Sequence, residues 1–251
     1  MNGPLSYIGG KRALAKRIIA VFPEHTTYVE PFAGGAQVFF RKEPSKVEVL
    51  NDLDREVTNF YRICQQHFEE LVRYLRFTLV SRAWFDLLQE TASASLTDIQ
   101  RAARYFYLSK NCYGGLVRHQ NYAWRVDAPP SFNSERLPAL IEETHHRLAR
   151  VQIECLPYEE VLASYDRPET LFYLDPPYYK RKLYRHNLEP ADFTKMAELL
   201  GSVRGKFILS LNDVPEVRAI FKQFTIREVE LAYTAQKIAG RRYRELLITN
   251  F

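Results

Sequence analysis

The chain has 251 residues, of which 46% are hydrophobic and 26% are charged, and this near-average composition excludes collagen, a disulfide-rich scaffold and a fully disordered chain. Thirty-five Lys and Arg residues against 30 Asp and Glu residues give a net charge of +5, which permits a nucleic-acid partner without establishing one. The length is sufficient for one compact domain with an insertion or for two small domains.

The first sixty residues alternate between helical and extended patterns. Apolar residues recur at helical spacing over 12–22 and predict a helix. A short strand over 27–29 runs into a Gly-containing loop, and a second helix is predicted after that loop. A further strand covers 46–50, and Asp54 lies where it can cap the helix that follows. This alternation predicts parallel strands joined by helices.

The middle of the chain differs in pattern from its two ends. Residues 63–150 are mostly helical, with amphipathic stretches and one strand-like segment over 112–126. After this segment the alternation returns, with these predicted elements: strands at 151–156, 170–174 and 207–211, helices at 192–203 and 214–221, and β-rich segments at 225–233 and 245–250. We therefore predict an α/β fold with a mixed, mostly parallel sheet and helices on both faces. One domain would comprise 1–62 and 151–251, and the helical insertion 63–150 would form the other.

Neither cysteine nor histidine spacing indicates a metal site. The cysteines lie more than forty residues apart, at Cys64, Cys112 and Cys155, and cannot form a Cys-only zinc site or a disulfide framework. No apolar segment approaches the roughly 20 residues needed to span a bilayer, and the N-terminus is basic instead of apolar. We expect no metal, no membrane partner and a reducing, cytoplasmic compartment.

The most specific motif is Asp175-Pro176-Pro177-Tyr178, at the carboxyl end of an apolar strand, where ligands bind in open parallel sheets. The two prolines remove backbone donors and hold the turn rigid, so the Asp175 carboxylate and the Pro176 carbonyl present two acceptors. They match the two N–H donors of a planar exocyclic amine, and accepting both would draw the nitrogen toward sp³ geometry and expose its lone pair. Tyr178 adds an aromatic face on which a base can stack. The alternative is a rigid turn with a surface tyrosine.

A second motif, Glu30-Pro31-Phe32-Ala33-Gly34-Gly35, follows a predicted strand. It is not a GxGxxG loop and lacks the Lys-Ser/Thr of a P-loop, so a phosphate site is not indicated. Its glycines allow a ligand to approach the backbone closely. Asp52 follows about twenty residues later, at the end of the next strand, from where a carboxylate can bind ribose hydroxyls. Gly loops and Asp caps are each common, but together they favour a nucleoside-containing cofactor without a pyrophosphate, such as S-adenosylmethionine.

A third motif, Tyr7-Ile8-Gly9-Gly10-Lys11, is by itself compatible with a simple helix entry. In their order, the three motifs resemble the Dam-like, alpha-group (D12 class) DNA adenine-N6 methyltransferases. The resemblance covers essentially the whole chain and includes segments 51–54, 210–213 and 245–251. It implies a Rossmann-like fold, a helical target-recognition insertion, S-adenosyl-L-methionine as the cofactor and double-stranded DNA as the partner.

The resemblance also implies roles for individual residues. The residues that fall on cofactor-contacting positions are Tyr7, Lys11, Glu30, Pro31, Phe32, Gly34, Asp52 and Asp175. Asp175, Pro176 and Tyr178 fall on the motif that binds the target adenine, which must leave the duplex to reach them. Catalysis would rest on positioning and electrostatics, with no metal and no covalent intermediate.

Candidate DNA-binding residues lie in the insertion. Between Asp98 and Asp127 there are basic residues and no acidic ones, and aromatic residues interleave with them, which suits a groove reader and a stacking wedge. The aromatic run 105–107 falls on a predicted helix and is expected in the core. Residues 113–118 resemble the family's Tyr-Asn-Gly-Leu-x-Arg hairpin. The residues of the insertion assigned to DNA are Lys110, Tyr113, Leu116, Arg118 and Arg125.

Two departures from the family pattern bear on the target sequence. Gly114 stands where the hairpin has Asn, and the Phe-Asn-x-Pro sequence of GATC-specific members does not follow, so GATC is not predicted.

Two further basic clusters flank the proposed site and would bind phosphates, unless they are simply solvated loops. The first contains Lys180, Arg181, Lys182 and Arg185, and the second contains Lys237, Arg241, Arg242 and Arg244.

The sequence thus predicts a DNA adenine-N6 methyltransferase, acting as a monomer or weak dimer. One alternative is an RNA methyltransferase acting on an exocyclic amine of guanine or adenine, since some guanine-N2 enzymes also carry Asp-Pro-Pro-Tyr. The N-terminal Tyr-x-Gly-Gly-Lys and the long insertion argue against it. The other alternative is a DNA-binding module without catalysis, against which the intact Asp175 and Tyr178 argue.

Overall fold

The computed structural model describes residues 1–7, 11–124, 126–232 and 242–251. Within these residues, seven strands form one sheet: β1 Thr27–Glu30, β2 Val47–Asn51, β3 Gln152–Glu154, β4 Thr170–Leu174, β5 Lys206–Asn212, β6 Thr225–Ala232 and β7 Arg242–Thr249. The order across the sheet is β3-β2-β1-β4-β5-β7-β6. Neighbouring strands are parallel except that β7 runs antiparallel to β5 and β6. The mixed, mostly parallel sheet predicted from the sequence is confirmed.

Helices cover both faces of this sheet. Their bounds are α1 Ala15–Ile19, α2 Arg55–Gln66, α3 Phe68–Leu75, α4 Arg82–Glu90, α5 Asp98–Asn111, α6 Leu137–Leu148, α7 Tyr158–Tyr165, α8 Pro190–Ser202 and α9 Pro215–Ile220. Buried residues of α1 and α2 belong to one hydrophobic cluster, and those of α7, α8 and α9 belong to a second. The central strand β4 contributes to both, because Leu171 and Tyr173 belong to the first cluster and Phe172 and Leu174 to the second. This alternation is expected of a strand that is covered on both faces.

The insertion comprises α3 to α6, between β2 and β3 in the chain. Helix α2 packs against α5 and α6, and α3 and α4 pack against α5. The buried side chains of these helices belong to the same cluster as α1 and one face of the sheet. The insertion is therefore continuous with the core on that face, and the division into domains at 63 and 150 stays a prediction.

The prediction of a helix directly after the Gly-containing loop is wrong. Residues 37–41 form consecutive turns instead. The N–H of Phe39 donates to Glu30 Oε1 at 2.8 Å, not to a carbonyl four residues earlier, and Ala36 has a φ of 44°, outside the helical region. Phe40 and Lys42 donate to the carbonyls of Ala36 and Val38, four residues earlier, but Arg41 donates to Val38, three residues earlier, so consecutive helical hydrogen bonds do not form.

Most of the remaining predicted elements are found with shifted ends, and β4 has the predicted bounds. The strand-like segment predicted over 112–126 is not a strand among the described residues, which show there a 3-10 turn at Tyr113–Gly115 and an isolated bridge between Cys112 and Tyr122. Helix α1 is shorter than the predicted 12–22, because the chain at 11–14 forms a turn in which Leu14 N–H donates to the Lys11 carbonyl. The predicted strand 225–233 is β6, and residue 233 lies outside the described residues. Helix α7 was missed. The predicted cap is confirmed, since the Asp54 side chain accepts from the N–H of Glu56.

Candidate active site

A cavity of about 330 Å³ lies outside the carboxyl ends of β1, β2 and β4, within the size range of small-ligand sites. The strand order reverses here, since β2 lies on one side of β1 and β4 on the other. Segments 30–38, 51–54, 156–159 and 184–188 line it, together with Tyr7, Lys11, Tyr173, Asp175, Pro177 and Asp192. All the residues that the sequence assigned to the cofactor are therefore brought together around one cavity.

The loop after β1 is joined to the end of β2 by hydrogen bonds. Gly34 has a φ of 47°, and its N–H donates to Asp52 Oδ2 at 2.8 Å. The Tyr61 hydroxyl donates to the Gly34 carbonyl at 2.7 Å. The other oxygen of Asp52 accepts from the N–H of Asp54 at 2.8 Å. Asp52 therefore joins the loop after β1 to the loop after β2. Because each of its carboxylate oxygens has a second lone pair, it can also accept a hydrogen bond from a ligand in the cavity.

Tyr7 lies directly against this loop. A Cβ on Gly34 would be 2.9 Å from Cε1 of Tyr7, and one on Gly35 would be 2.9 Å from its Cβ. The tyrosine ring stacks on Tyr184, with centroids 5.8 Å apart. A Cβ on Gly115 of the insertion would be 2.9 Å from the backbone nitrogen of Tyr7. Glycine permits these close approaches, so the N-terminal segment, the β1 loop and the insertion meet at one place.

Two carboxyl groups at the cavity are held in a low-polarity environment. Burial raises the pKa of Glu30 to about 8, and the hydrogen bonds from the Tyr28 hydroxyl and the Phe39 N–H offset only part of this effect. Burial also raises the pKa of Asp52 to about 7, against the two backbone N–H groups bonded to it. A cation bound nearby would favour the charged form of either group. The cavity therefore suits a positively charged ligand.

Tyr158 is a lining residue that the sequence analysis missed. It begins α7 and packs on Phe32 with ring centroids 5.3 Å apart. Its hydroxyl is buried and, among the described residues, has no hydrogen-bond partner. An unsatisfied buried hydroxyl is costly, so a ligand that offers it a polar atom would be favoured. The only available signal in the sequence is an aromatic residue shortly after the third strand.

Asp175 is anchored through one oxygen. Its Oδ1 accepts from Lys11 Nζ at 2.6 Å and from the Ser210 hydroxyl, on the neighbouring strand β5, at 3.1 Å. Within the part of the chain that the structure describes, no group donates to Oδ2. Asp175 lines the cavity, and 22% of its side chain is exposed. The second oxygen is therefore available to a ligand.

Lys11 lies between two carboxylates. Its Nζ is 2.6 Å from Asp175 Oδ1 and 2.9 Å from Glu245 Oε1, and it donates to the Tyr178 hydroxyl at 3.3 Å. The Tyr178 hydroxyl in turn donates to Glu245 Oε1 at 3.2 Å, and Lys11 Nζ lies 4.9 Å from the centre of the tyrosine ring. Burial disfavours the charge of Lys11, but Asp175, Tyr178 and Glu245 more than offset this and raise its pKa, so it is an ammonium ion. The sequence placed Glu245 in a family-like segment without a role.

The predicted hairpin of the insertion lies next to Tyr7. A bridge between Cys112 and Tyr122 closes it. Tyr113 is 64% exposed and Arg118 is exposed, and no described residue pairs with the Arg118 side chain. Leu116 is partly buried. The two predicted contact residues at the tip are thus accessible to a partner.

Other basic residues of the insertion have different surroundings. Lys110 lies 5.4 Å from the ring centre of Phe106, and burial lowers the pKa of Lys110 to about 8. Arg101 pairs with Glu56 at 2.6 Å, and Arg104 is buried and donates to backbone carbonyls of α4. These two arginines therefore tie α5 to α2 and α4. The aromatic run 105–107 is buried, which confirms its predicted place in the core.

The basic cluster after the Asp175 turn is exposed. Lys180 pairs with Glu216 at 2.7 Å and Lys182 with Glu189 at 2.8 Å, whereas the Arg181 side chain has no partner among the described residues. Such exposed pairs are weak and a phosphate can compete with them.

Several predicted residues and motif positions lie outside the described part of the chain: Arg125, Lys237, Arg241, and Ile8, Gly9 and Gly10 of the N-terminal motif.

Comparison with known proteins bears directly on this site. A family model described as D12 class N6 adenine-specific DNA methyltransferase matches residues 7–235. The chain belongs to this family. The match spans Tyr7, the loop after β1, the insertion and the Asp175 turn, so the resemblance that the motif order indicated is confirmed.

Curated relatives of this methyltransferase are similar over most of its length. The type II methyltransferase M1.LlaDCHI of Lactococcus lactis subsp. cremoris is 24% identical, covering 98% of this chain and 94% of the relative. The DNA adenine methylase of Serratia marcescens is 28% identical over 69% of this chain and 66% of its own. The retron Ec67 DNA adenine methylase of Escherichia coli is 24% identical over 90% and 82%.

Among the described residues of this methyltransferase, none of the helices combines the length and the apolar character that crossing a membrane requires. The same residues contain no group of three or more His, Cys, Asp or Glu side chains that could hold a metal ion.

Proposed function

We propose that the protein transfers the methyl group of S-adenosyl-L-methionine to the exocyclic N6 of an adenine that has left the DNA duplex, within a specific sequence. The observation that carries this proposal is Asp175, a residue of the cavity lining whose Oδ1 is held by Lys11 and Ser210 while no described residue donates to its Oδ2. A carboxylate fixed in this way accepts a hydrogen bond from an amine in a defined direction. The acceptor and the glycine loop after β1 share one cavity, so an amine and a cofactor can meet there.

The residues around the cavity fit this cofactor. The carboxyls of Glu30 and Asp52 favour a cation, and Asp52 would accept hydrogen bonds from ribose hydroxyls. Phe32 and the unsatisfied hydroxyl of Tyr158 offer a ring and a polar atom to a base. The glycine at position 34 leaves space beside Tyr7. When bound, the cofactor supplies an activated methyl group on a positively charged sulfur.

The chain's own groups act on the adenine amine. Asp175 Oδ2 and the Pro176 carbonyl would accept its two N–H donors, and Tyr178 would stack on the base. Accepting both hydrogen bonds draws N6 toward sp³ geometry and directs its lone pair at the methyl carbon. The cofactor, when bound, would supply its methyl group to this lone pair, and the amine would then release one proton. Rate enhancement would come from orientation and electrostatics.

Basic side chains outside the cavity would bind the duplex. We assign Lys110, Tyr113, Leu116, Arg118 and Arg125 of the insertion and residues 180–182 to this contact, which would make affinity fall as salt rises. Extruding the adenine leaves a gap in the stack that an exposed side chain such as Tyr113 can fill. The enzyme would act in the cytoplasm as a monomer or weak dimer.

Replacing Asp175 with alanine tests the assignment of the catalytic turn. The variant loses the open acceptor, so we expect methyl transfer to duplex DNA to fall by about a thousandfold while DNA affinity stays within about threefold. Asp86, an exposed residue of α4, provides the control, since Asp86→Ala should keep full activity. Tritiated methyl incorporation and detection of N6-methyladenine give the readout. Activity retained in Asp175→Ala would show that the turn is misassigned.

A second experiment separates DNA from RNA as the substrate. Methyl transfer to duplex DNA and to structured RNA is compared under the same conditions, and the modified nucleoside is identified. We expect N6-methyladenine in DNA. Preference for RNA, or methylation of guanine, would refute the proposed substrate, and DNA binding without cofactor binding or methylation would indicate a binding module.

A further inference from the structure

Glu245 is a buried acidic residue that has no part in the steps above. Only 3% of its side chain is exposed. Its Oε1 is 2.9 Å from Lys11 Nζ and accepts from the Tyr178 hydroxyl at 3.2 Å. Burying a carboxylate is unfavourable unless it is paired, so its presence beside the catalytic turn requires a reason.

The reversed strand β7 brings Glu245 to this place. Glu245 pairs in register with Asn212, at the carboxyl end of β5, next to the strand that carries Asp175. Because β7 is antiparallel to its neighbours, an early residue of β7 lies at the edge where the parallel strands end. The Glu245 carboxylate therefore reaches Lys11 from β7, which lies on the other side of β5 from the strand that precedes Asp175.

Lys11, Asp175, Tyr178 and Glu245 form one cluster of contacting side chains, and its net charge depends on Glu245. Lys11 contributes one positive charge, and Asp175 and Glu245 contribute two negative charges, which leaves a net charge of −1. With Asp175 as its only carboxylate partner, Lys11 would neutralise that carboxylate. Glu245 therefore gives the cluster a negative charge beyond the one that Lys11 neutralises, and this charge can stabilise positive charge that develops on a donor at Asp175 Oδ2.

We propose that Glu245 is a positioning residue for methyl transfer, which holds Lys11 and Tyr178 in place and leaves the group of side chains around Asp175 with a net negative charge. The inference rests on the proposed function, in which positive charge develops on the adenine amine and is stabilised by the Asp175 carboxylate. Glu245 is not among the described residues that line the cavity. Its effect must therefore pass through Lys11 and Tyr178, and it should act on the rate of transfer more than on binding.

Glu245→Gln tests this directly, because it keeps the shape and an acceptor oxygen but removes the charge. We expect the single-turnover rate to fall roughly tenfold to a hundredfold, less than the loss on removing a group that touches the reacting atoms. The dissociation constants for cofactor and DNA should stay within about threefold. Glu228→Gln is the matched control on β6, where Glu228 is exposed and pairs with Arg218, and it should leave the rate unchanged.

A double-mutant cycle with Lys11→Met tests the route of the effect. If Glu245 acts through Lys11, then adding Glu245→Gln to Lys11→Met should change the single-turnover rate by less than about twofold. A wild-type rate in Glu245→Gln, a loss confined to binding, or additive effects in the cycle would overturn the proposal. A wild-type enzyme that does not methylate DNA adenine would overturn the proposed function and this inference with it.

Discussion

Replacing Gly34 with alanine perturbs the packing between the loop after β1 and Tyr7. Gly34 has a φ of 47° and Gly114 a φ of 66°, and an L-residue in this left-handed region costs roughly 1–2 kcal/mol. A Cβ on Gly114 would meet nothing within 4 Å, whereas one on Gly34 would lie 2.9 Å from Cε1 of Tyr7. The two substitutions therefore share a backbone penalty and differ in one contact.

That contact sets the expected difference between the variants. The Tyr7 ring must move to admit the new methyl group, but it is stacked on Tyr184, and overpacking of this kind costs about 1–3 kcal/mol. We expect Gly114→Ala to lower the free energy of unfolding by about 1–2 kcal/mol and Gly34→Ala to lower it by about 2–5 kcal/mol. Because Tyr7 lines the cavity, Gly34→Ala should also weaken cofactor binding by about tenfold, whereas Gly114→Ala should not.

Urea denaturation measures the two losses of stability, and calorimetry with S-adenosylhomocysteine measures the affinities. Tyr7→Ala removes the obstructing ring, so its cost and that of Gly34→Ala should not add in the double variant. Equal losses of stability in the two glycine variants, with affinity unchanged in both, would refute the close approach of Tyr7 to Gly34.

Further predictions concern pH, stability and target choice. Because burial raises the pKa of Asp52 to about 7, its carboxyl becomes protonated as the pH falls from about 8 to about 6, and cofactor affinity should fall by about tenfold over this range. Titration calorimetry should find a smaller fall in Asp52→Asn, in which Glu30, with its pKa raised to about 8, still titrates in this range. Glu48→Ala leaves the buried Lys42 and the partly buried Arg147 without their shared carboxylate and should lower the free energy of unfolding by about 3–5 kcal/mol in urea denaturation, whereas a loss below about 1 kcal/mol would contradict this. Arg118→Ala should relax target selection without changing cofactor affinity, and an unchanged methylation pattern in sequenced host DNA would place recognition elsewhere.

Features that depend on local pattern could be predicted from the sequence. The strand Thr170–Leu174 has the predicted bounds because an apolar run ends there at a proline turn. Asp54 caps its helix because capping needs only a side chain two residues before the N–H that it accepts. The convergence of Asp52 and Asp175 on one cavity could also be predicted, since the carboxyl ends of parallel strands lie at one edge of a sheet.

Features that depend on distant partners could not be predicted. The turns at 37–41 are fixed by a distant partner, since Glu30, on a buried strand, accepts from the N–H of Phe39. Glu245 reaches the cluster only through the register of β7 with β5, and Arg101 lies in an acid-free segment but binds Glu56, 45 positions away. In each case tertiary packing selects the partner, and neither periodicity nor a local motif encodes it.

The small net charge of +5 conceals an opposite arrangement of charge inside and outside the site. Carboxyl groups of Glu30, Asp52 and Asp175 line the cavity. A cationic ligand would favour the charged forms of Glu30 and Asp52, whose pKa values burial raises to about 8 and about 7. Basic side chains at Arg118 and at 180–182 lie exposed outside it, where a DNA backbone would be held. A duplex held by those residues would keep its stacked bases outside the cavity, so we expect an adenine to reach Asp175 only after it has left the stack. The separation between the exposed basic side chains and Asp175 would therefore require base flipping before methyl transfer.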